Sequence, residues 1–506
     1  MIQRWLRLLA LAAALALLGT IQAAPTDLVS CLSDIKSTSN ASYLTTQSSA
    51  SYKTERLVFD RNFDYLPLAI YHPGSEEDAA AAIQCAATYN VAVTPRSGGH
   101  SYEGYGNGGK DGSLVMNVDK LQKIEFDPAT GIVTVGAGVR LGPLYTYLWE
   151  NGQYLIAGGT CPSVGISGNA LGGGLGMLSR KYGMLSDTVV GLRMIDAKGE
   201  LWEANDNNNS DLYWALRGAG SGSFGLVTEF KIQAFKAPDK VTTMLIHWPF
   251  NMTRKVIEAY GRWGSPSLSE DLFPAMRFEK QIELQINFLG SLADAEAALA
   301  PLIQDAGPPS DKVVHEGTWM EAAILWGAVP NLEAFRNPDL TAHRYHRGRS
   351  LLYREPLSSA DIDIIIEYLT HPPEHSTKVF VIIDIWRGKI DRPHTPSAFD
   401  AHRAVYHSIN LSVEWKGDSG NASASAEECL AWSASFMSKL EDVFPGGRPN
   451  VEAYQNYIDR DLTNWLEAYY RGGLPRLQAL KTKFDPQNVF SFPQSIPPMA
   501  GKFNSQ

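Results

Sequence analysis

Glycine is spread unevenly along the 506 residues, dense from Gly98 to Gly225 and sparse from about Lys236 to Glu441. The densest runs are RSGGHSYEGYG, residues 96–106, and GNALGGGLGMLSRKYG, residues 168–183. Backbone without side chains lets a second chain or a ligand's phosphates come close, and its free N–H groups bind anions. Each run alone also reads as a tight structural turn. The first sits at the end of a strand-like segment. Ser75 as a cap, the acidic first turn Glu76, Glu77 and Asp78 and a helix through Tyr89 lead into the strand VAVTP, which ends in the first run. IVTVGAG followed by LGPLYTYLWENG repeats strand then helix. A dinucleotide fingerprint of the GxGxxG type fits poorly, because the glycines lie inside longer loops and no acidic ribose ligand stands at the expected offset.

Beyond Ala237 the pattern changes to long strands, MLIHWPF, IELQINFLG and KVFVIIDIW, with DAEAALAPLIQDA as a helix. The chain is therefore α+β with two lobes, and its 44% hydrophobic content supports a large core. A net charge of -10 with no lysine/arginine block argues against nucleic acid. Residues 1–23, with Arg4 and Arg7 before a short apolar run and small residues near Ala23, read as a secretory signal peptide rather than a membrane span. The expectation is a secreted, soluble protein with no membrane partner. Sequons at Asn40, Asn208, Asn251, Asn410 and Asn421 agree with export. Four cysteines in an oxidising compartment suggest two disulfides. Cys31 and Cys85 suit one bridge; Cys161 and Cys429 either pair or remain free.

RSGGHSYEGYG, GGTCPSVGISGNALGGGLGMLSRKYG, YQNYID and FDPQNVFSFPQSIPP together resemble the berberine-bridge-enzyme-like branch of the vanillyl-alcohol-oxidase flavoproteins, and most of all the fungal oligosaccharide oxidases. The resemblance covers most of the mature chain in the same order and is looser in the middle lobe. It implies an FAD-binding domain over 57–236, a sheet-plus-helices substrate domain over 237–450 and a return to the first domain over 451–499. It also implies FAD attached twice, through His100 and Cys161, with Cys429 left free. A neutral imidazole and a thiolate are nucleophiles suited to an electron-poor flavin. Arg96, Ser97, Gly98, Gly99, Ser101, Val164, Gly165, Gly168, Gly172, Gly173 and Asn456 are then cofactor contacts, and no metal is implied. Val164 occupies a position that accompanies reaction with molecular oxygen, which favours an oxidase.

By the same resemblance Tyr457 is the catalytic base, and Asp384 in VFVIIDIW is its acidic partner. A carboxylate raises a nearby tyrosine pKa, so Asp384 serves as a proton acceptor behind the phenol. Tyr102, Phe380, Ile382, Glu414 and Tyr454 fall at substrate positions. Phe380 and Ile382 stand where the oligosaccharide oxidases carry tryptophan and glutamine; Phe380 still offers a sugar a ring, while the hydrogen bonds of the glutamine are lost. Three functions follow: oxidation of an oligosaccharide's anomeric hydroxyl, oxidation of a small aromatic or alcohol metabolite, or carbohydrate binding without catalysis.

Overall fold

The computed structural model describes residues 25–37, 39–264, 267–417 and 424–499, so residues 1–23, read above as a signal peptide, and Asn421 lie outside the described residues. Strands β1 (Tyr43–Thr46), β2 (Ala69–His72), β3 (Val93–Arg96) and β4 (Leu114–Asn117) form a sheet in the order β1-β2-β4-β3. β4 runs parallel to both β2 and β3, and parallel neighbours need a crossover. The crossover between β2 and β3 is the helix Glu76–Thr88, capped by Ser75, which accepts from the Asp78 N–H at 3.1 Å. Ala79, Ala82, Ile83 and Ala86 make its fully buried stripe. Cys85 of this helix is bonded to Cys31 of the helix Pro25–Ser33.

A second, antiparallel sheet has the order β5-β6-β10-β8-β9. It contains β5 (Ile124–Asp127), β6 (Ile132–Gly136), β8 (Val189–Ile195), β9 (Leu201–Ala204) and β10 (Leu226–Gln233). A short ribbon pairs β7 (Tyr154–Leu155) with β11 (Phe235–Lys236). All remaining strands come from 241–415 and build one antiparallel sheet, β15-β12-β14-β13-β17-β18-β16. These are β12 (Val241–Trp248), β13 (Leu272–Phe278), β14 (Ile282–Phe288), β15 (Asp311–Gly317), β16 (Tyr345–Tyr353), β17 (Ser376–Ile385) and β18 (His407–Trp415).

Alternation divides the faces of this large sheet. Val381 and Ile383 of β17 and Leu284 and Ile286 of β14 are fully buried on one face. There the Tyr260 hydroxyl, from the helix Thr253–Trp263, donates to the carbonyls of Pro274 at 3.2 Å and Ile383 at 3.0 Å. The opposite face carries Phe380, Ile382 and Asp384, cross-strand from Ser412, Asn410 and Ser408 of β18.

After residue 450 the chain returns to both other regions. Leu352 N–H bonds the Glu452 carbonyl at 2.8 Å, and Val93 N–H bonds the Val489 carbonyl at 2.8 Å. Lys481, fully buried, donates to Asp485 at 2.6 Å and to the carbonyls of Ser223 and Phe490, both at 2.7 Å. Among the described residues no helix is long and apolar enough to cross a membrane, and no cluster of side chains could hold a metal.

Candidate active site

The first glycine run meets the Cys161 loop that leads into the second. A Cβ on Gly98 would lie 2.2 Å from the Gly165 nitrogen, and one on Gly165 would lie 2.3 Å from the Gly98 nitrogen. Neither residue can be anything larger without separating the loops. Arg140 fastens the contact by donating to the carbonyls of Gly98 at 3.1 Å and of Ser163. Ser97 Oγ donates to the Ala137 carbonyl at 2.6 Å, and Ser101 Oγ accepts from Tyr105 N–H at 3.3 Å. Gly172 abuts Asn456, whose Oδ1 would be 2.0 Å from an added Cβ; Asn456 Nδ2 in turn donates to the Asn169 carbonyl at 3.1 Å. Gly173, at φ +124°, passes beside Phe399 and Tyr454. Gly168 alone in this group opens on free space, with nothing near the position of an added Cβ.

His100 lies flat against Phe59, ring centroids 4.6 Å apart. Burial, then the Arg140 and Arg344 charges, push its pKa down to about 3, so the imidazole is neutral with a lone pair available. Cys161 and Cys429 are both free thiols, which removes a bridge between them. Cys161 is exposed, yet protein packed around the thiol raises its pKa against the opposing Thr160 hydrogen bond and Arg344 charge. Cys429 is sealed in the helix Ala424–Val443, its pKa raised by burial to about 11. Val164 bonds back to the Cys161 carbonyl at 3.2 Å, closing the turn that displays the thiol. The residues suit FAD: two nucleophiles, glycine-lined backbone and the open space before Gly168 share one loop system.

Tyr102 stacks on Tyr457 with centroids 5.5 Å apart and planes within 2°. The ring of Tyr102 rests on Gly348 of β16, where a Cβ would come within 2.5 Å, and edges onto His346 at 4.7 Å. Asn410 hydrogen-bonds its hydroxyl. Burial, then the nearby Tyr102 and Asp384, raise the Tyr457 pKa well above the ordinary phenol value. Asp384 is 6% exposed and accepts from Ser408 Oγ at 3.1 Å. Its burial raises the carboxyl pKa to about 7, so near neutrality it exists in both forms.

The structure corrects several residue roles. Tyr454 does not face a substrate: it is 1% exposed, and its hydroxyl accepts from the N–H groups of Gly174 at 2.8 Å and Leu175 at 3.2 Å. It holds the glycine loop. Arg96 turns its guanidinium under the loop, onto Asn107 Oδ1 at 2.8 Å, and so supports the His100 segment from behind. Phe380 does not offer a bare ring, because the Arg277 guanidinium lies 4.0 Å from its centroid. Glu414 is held by Arg344 at 2.8 Å. Asn410, one of the sequons, is buried on the site face, which denies it to a glycan in the folded chain.

Sequence reasoning missed Arg344, Asn410, His346 and Arg277. The two-residue period back from Glu414 through Ser412 to Asn410 was the available signal for one of them. The others reach the site from strands 30 or more residues away in the chain, and nothing local marks them.

These loops and this sheet define a class, the FAD-dependent oxidoreductases that act on alcohol groups, and relatives specify it. Residues 67–205 match the FAD binding domain family and residues 453–497 the berberine and berberine-like family. The xylooligosaccharide oxidase of Thermothelomyces thermophilus is 31% identical over 90% of this chain and 92% of that protein. The glucooligosaccharide oxidase of Sarocladium strictum is 30% identical over the same shares. The solved structure of Physcomitrella patens BBE-like 1 superposes with a TM-score of 0.85 at 31% identity, covering 94% of this chain and all of that one. A structure of the Acremonium strictum glucooligosaccharide oxidase, concerned with its 6-S-cysteinyl, 8α-N1-histidyl FAD, superposes with a TM-score of 0.85 at 27% identity, over 94% of this chain and all of that one. The chain belongs to the berberine-bridge-enzyme-like flavoproteins of the vanillyl-alcohol-oxidase family, and fungal oligosaccharide oxidases are among its relatives.

Proposed function

We propose that this protein oxidises the anomeric hydroxyl of an oligosaccharide to a lactone while reducing oxygen to hydrogen peroxide, with FAD bonded to both His100 and Cys161. The observation that carries the reading is the convergence of Tyr102, Tyr457 and Asp384 on one site, framed by the loops that bear the two nucleophiles. The twice-bonded FAD of the glucooligosaccharide oxidase supports the attachment. We take 57–236 with 451–499 as the FAD lobe and 237–450 as the substrate lobe. The bridge between Cys31 and Cys85 supports secretion.

Bound flavin supplies a two-electron acceptor for the hydride of the substrate's C–H bond. The chain's own residues manage the proton. Hydride departs only as the hydroxyl proton leaves, and a phenol whose pKa lies well above ordinary is a poor resting acceptor unless its own proton moves on. Asp384, with a pKa near 7, takes that proton when ionised. Asn410 and Ser408 orient Tyr102 and Asp384 from the neighbouring strand. Val164, half-buried in the Cys161 loop, stands at the position that by resemblance accompanies reaction with oxygen, and on that ground substrate-reduced enzyme is expected to reoxidise quickly in air. Fast turnover on a dye with slow reoxidation would make it a dehydrogenase.

Apolar Phe380 and Ile382 favour a second reading, oxidation of a small aromatic or alcohol metabolite. A peroxide assay over mono- and oligosaccharides and aromatic alcohols separates them. Activity on reducing oligosaccharides is expected, and activity on aromatic alcohols alone overturns the first reading.

A further inference from the structure

One buried cation ties together the segments that present the two stacked tyrosines. Arg347 of β16 has a side chain only 2% exposed and contacts carboxylates from two other parts of the chain. It donates to Glu103 Oε1, to Asp459 Oδ1 at 2.7 Å and to Asp461 Oδ2 at 2.7 Å. Glu103, fully buried, directly follows Tyr102, and Asp459 lies two residues beyond Tyr457. Arg349 Nε donates to the second oxygen of Asp459 at 2.7 Å, and Arg460 Nε to the second oxygen of Glu103 at 2.7 Å. Three guanidinium groups thus meet three carboxylates. Both neighbours of Arg347 in the strand touch Tyr102 from the other side, His346 by its ring edge and Gly348 by the space it leaves. The strand therefore lies between Tyr102 and the cluster, with Tyr102 packed on one face of β16 and the next residue, Glu103, bonded to Arg347 on the other.

We propose that Arg347 is a positioning residue for hydride transfer, fixing the Tyr102–Tyr457 stack by clamping the His100 loop to the Tyr457 segment. The inference rests on the reading of Tyr457 as base. It also explains the terminal aspartate of YQNYID, which lies outside the reactive face but accepts from Arg347 and Arg349. A planar fork is needed, because one group must bond carboxylates from two segments at once; a lysine's point charge cannot bridge both in fixed directions. Purely structural clamping would alter stability. Positioning alters the rate of the step that Tyr457 serves.

The test uses holoenzyme with flavin attached and follows anaerobic flavin reduction by an accepted substrate. Arg347→Lys is expected to slow reduction by roughly 10- to 100-fold, the scale of a small misplacement of a catalytic group, with KM changed less than about threefold. Introduced into Tyr457→Phe, the same substitution should cost less than about threefold, since the group it positions is already gone. Reduction at the wild-type rate in folded Arg347→Lys, or an equal loss in both backgrounds, overturns the proposal. Should Arg347→Lys fail to fold, Asp461→Asn removes only the half-exposed arm of the cluster. A several-fold loss that disappears in the Tyr457→Phe background supports the clamp, and an unchanged rate overturns it. Tyr457→Phe reducing its flavin at full rate would defeat the base assignment itself, a result distinct from a failure confined to Arg347.

Discussion

The loops around His100 and Cys161 and the sheet face around Phe380 and Asp384 are built by opposite rules. In the loops almost every position is committed to another part of the protein: Gly98 to Gly165, Gly172 to Asn456, Gly174 to the Tyr454 hydroxyl, Ser97 to Ala137. On the sheet face, Phe380, Ile382 and Arg277 are only partly buried, and their neighbours are charged or polar side chains. Asp384 is the exception, sealed at the inner end of that face. Along the strand Ile382 lies about 7 Å and Phe380 about 13 Å from it. The contrast teaches that close packing is concentrated on the glycine loops and around Asp384, while the rest of that sheet face is lined by a few loosely packed side chains.

The largest effect expected is in the shared inner corner. Tyr457→Phe keeps the ring against Tyr102 and removes one oxygen, so anaerobic flavin reduction should slow by roughly 10²- to 10⁴-fold with flavin content unchanged. A near wild-type rate would move the base elsewhere. Tyr454, the alternative suggested by sequence, has its hydroxyl occupied by two backbone N–H groups.

Next comes the loop packing. Gly98→Ala drives a methyl group into backbone rather than into a flexible side chain, a clash costing about 1–3 kcal/mol. Covalent flavin per chain, read from the absorbance of acid-precipitated protein, should fall sharply. His100→Ala and Cys161→Ala should each leave flavin bonded through the other residue. Full flavin release from denatured wild-type protein would contradict the double attachment.

A smaller, pH-dependent effect belongs to Asp384. Its pKa is raised from 3.8 to about 7 by burial, so the proton-accepting form is lost as pH falls through about 7. Flavin reduction should rise across that pH and level off above it, and Asp384→Asn should be slow with no such step. The raised value also means that the folded state holds this proton more tightly than the unfolded chain. Its stabilising contribution is full below pH 3.8 and is lost progressively as pH rises from there to about 7. Asp384→Asn should therefore raise Tm relative to wild type more at pH 8.5, where the loss is complete, than at pH 5.5, where it is about half complete. Equal shifts at both would show that ionisation of Asp384 carries no cost.

The smallest changes are expected on the open face. Ile382→Gln and Arg277→Ala should alter the ratio of kcat/KM between oligosaccharides several-fold, on the order of 1 kcal/mol, without changing covalent flavin. The contrast fails if either one lowers flavin content as Gly98→Ala does.

The helix over Glu76–Thr88 was legible because its cap, acidic first turn and apolar stripe are local, as were the strands Val241–Trp248 and Ser376–Ile385 from their composition. The residues of the glycine loops were legible too. Close approach of two backbones allows almost no side chain, so the packing leaves its mark at those positions in the sequence itself. The sequence by itself thus determined the two-lobed α+β fold and the family, and named a histidine, a cysteine, a tyrosine and an aspartate as candidates for its site. Only the tertiary structure decided what each of them meets: that Tyr454 holds a loop, that a guanidinium covers Phe380, that Arg347 clamps Glu103 to Asp459. These are pairings of flexible or buried polar groups across long stretches of chain. Their energy depends on distance and on exclusion of water, and neither exists until the strands and loops have assembled.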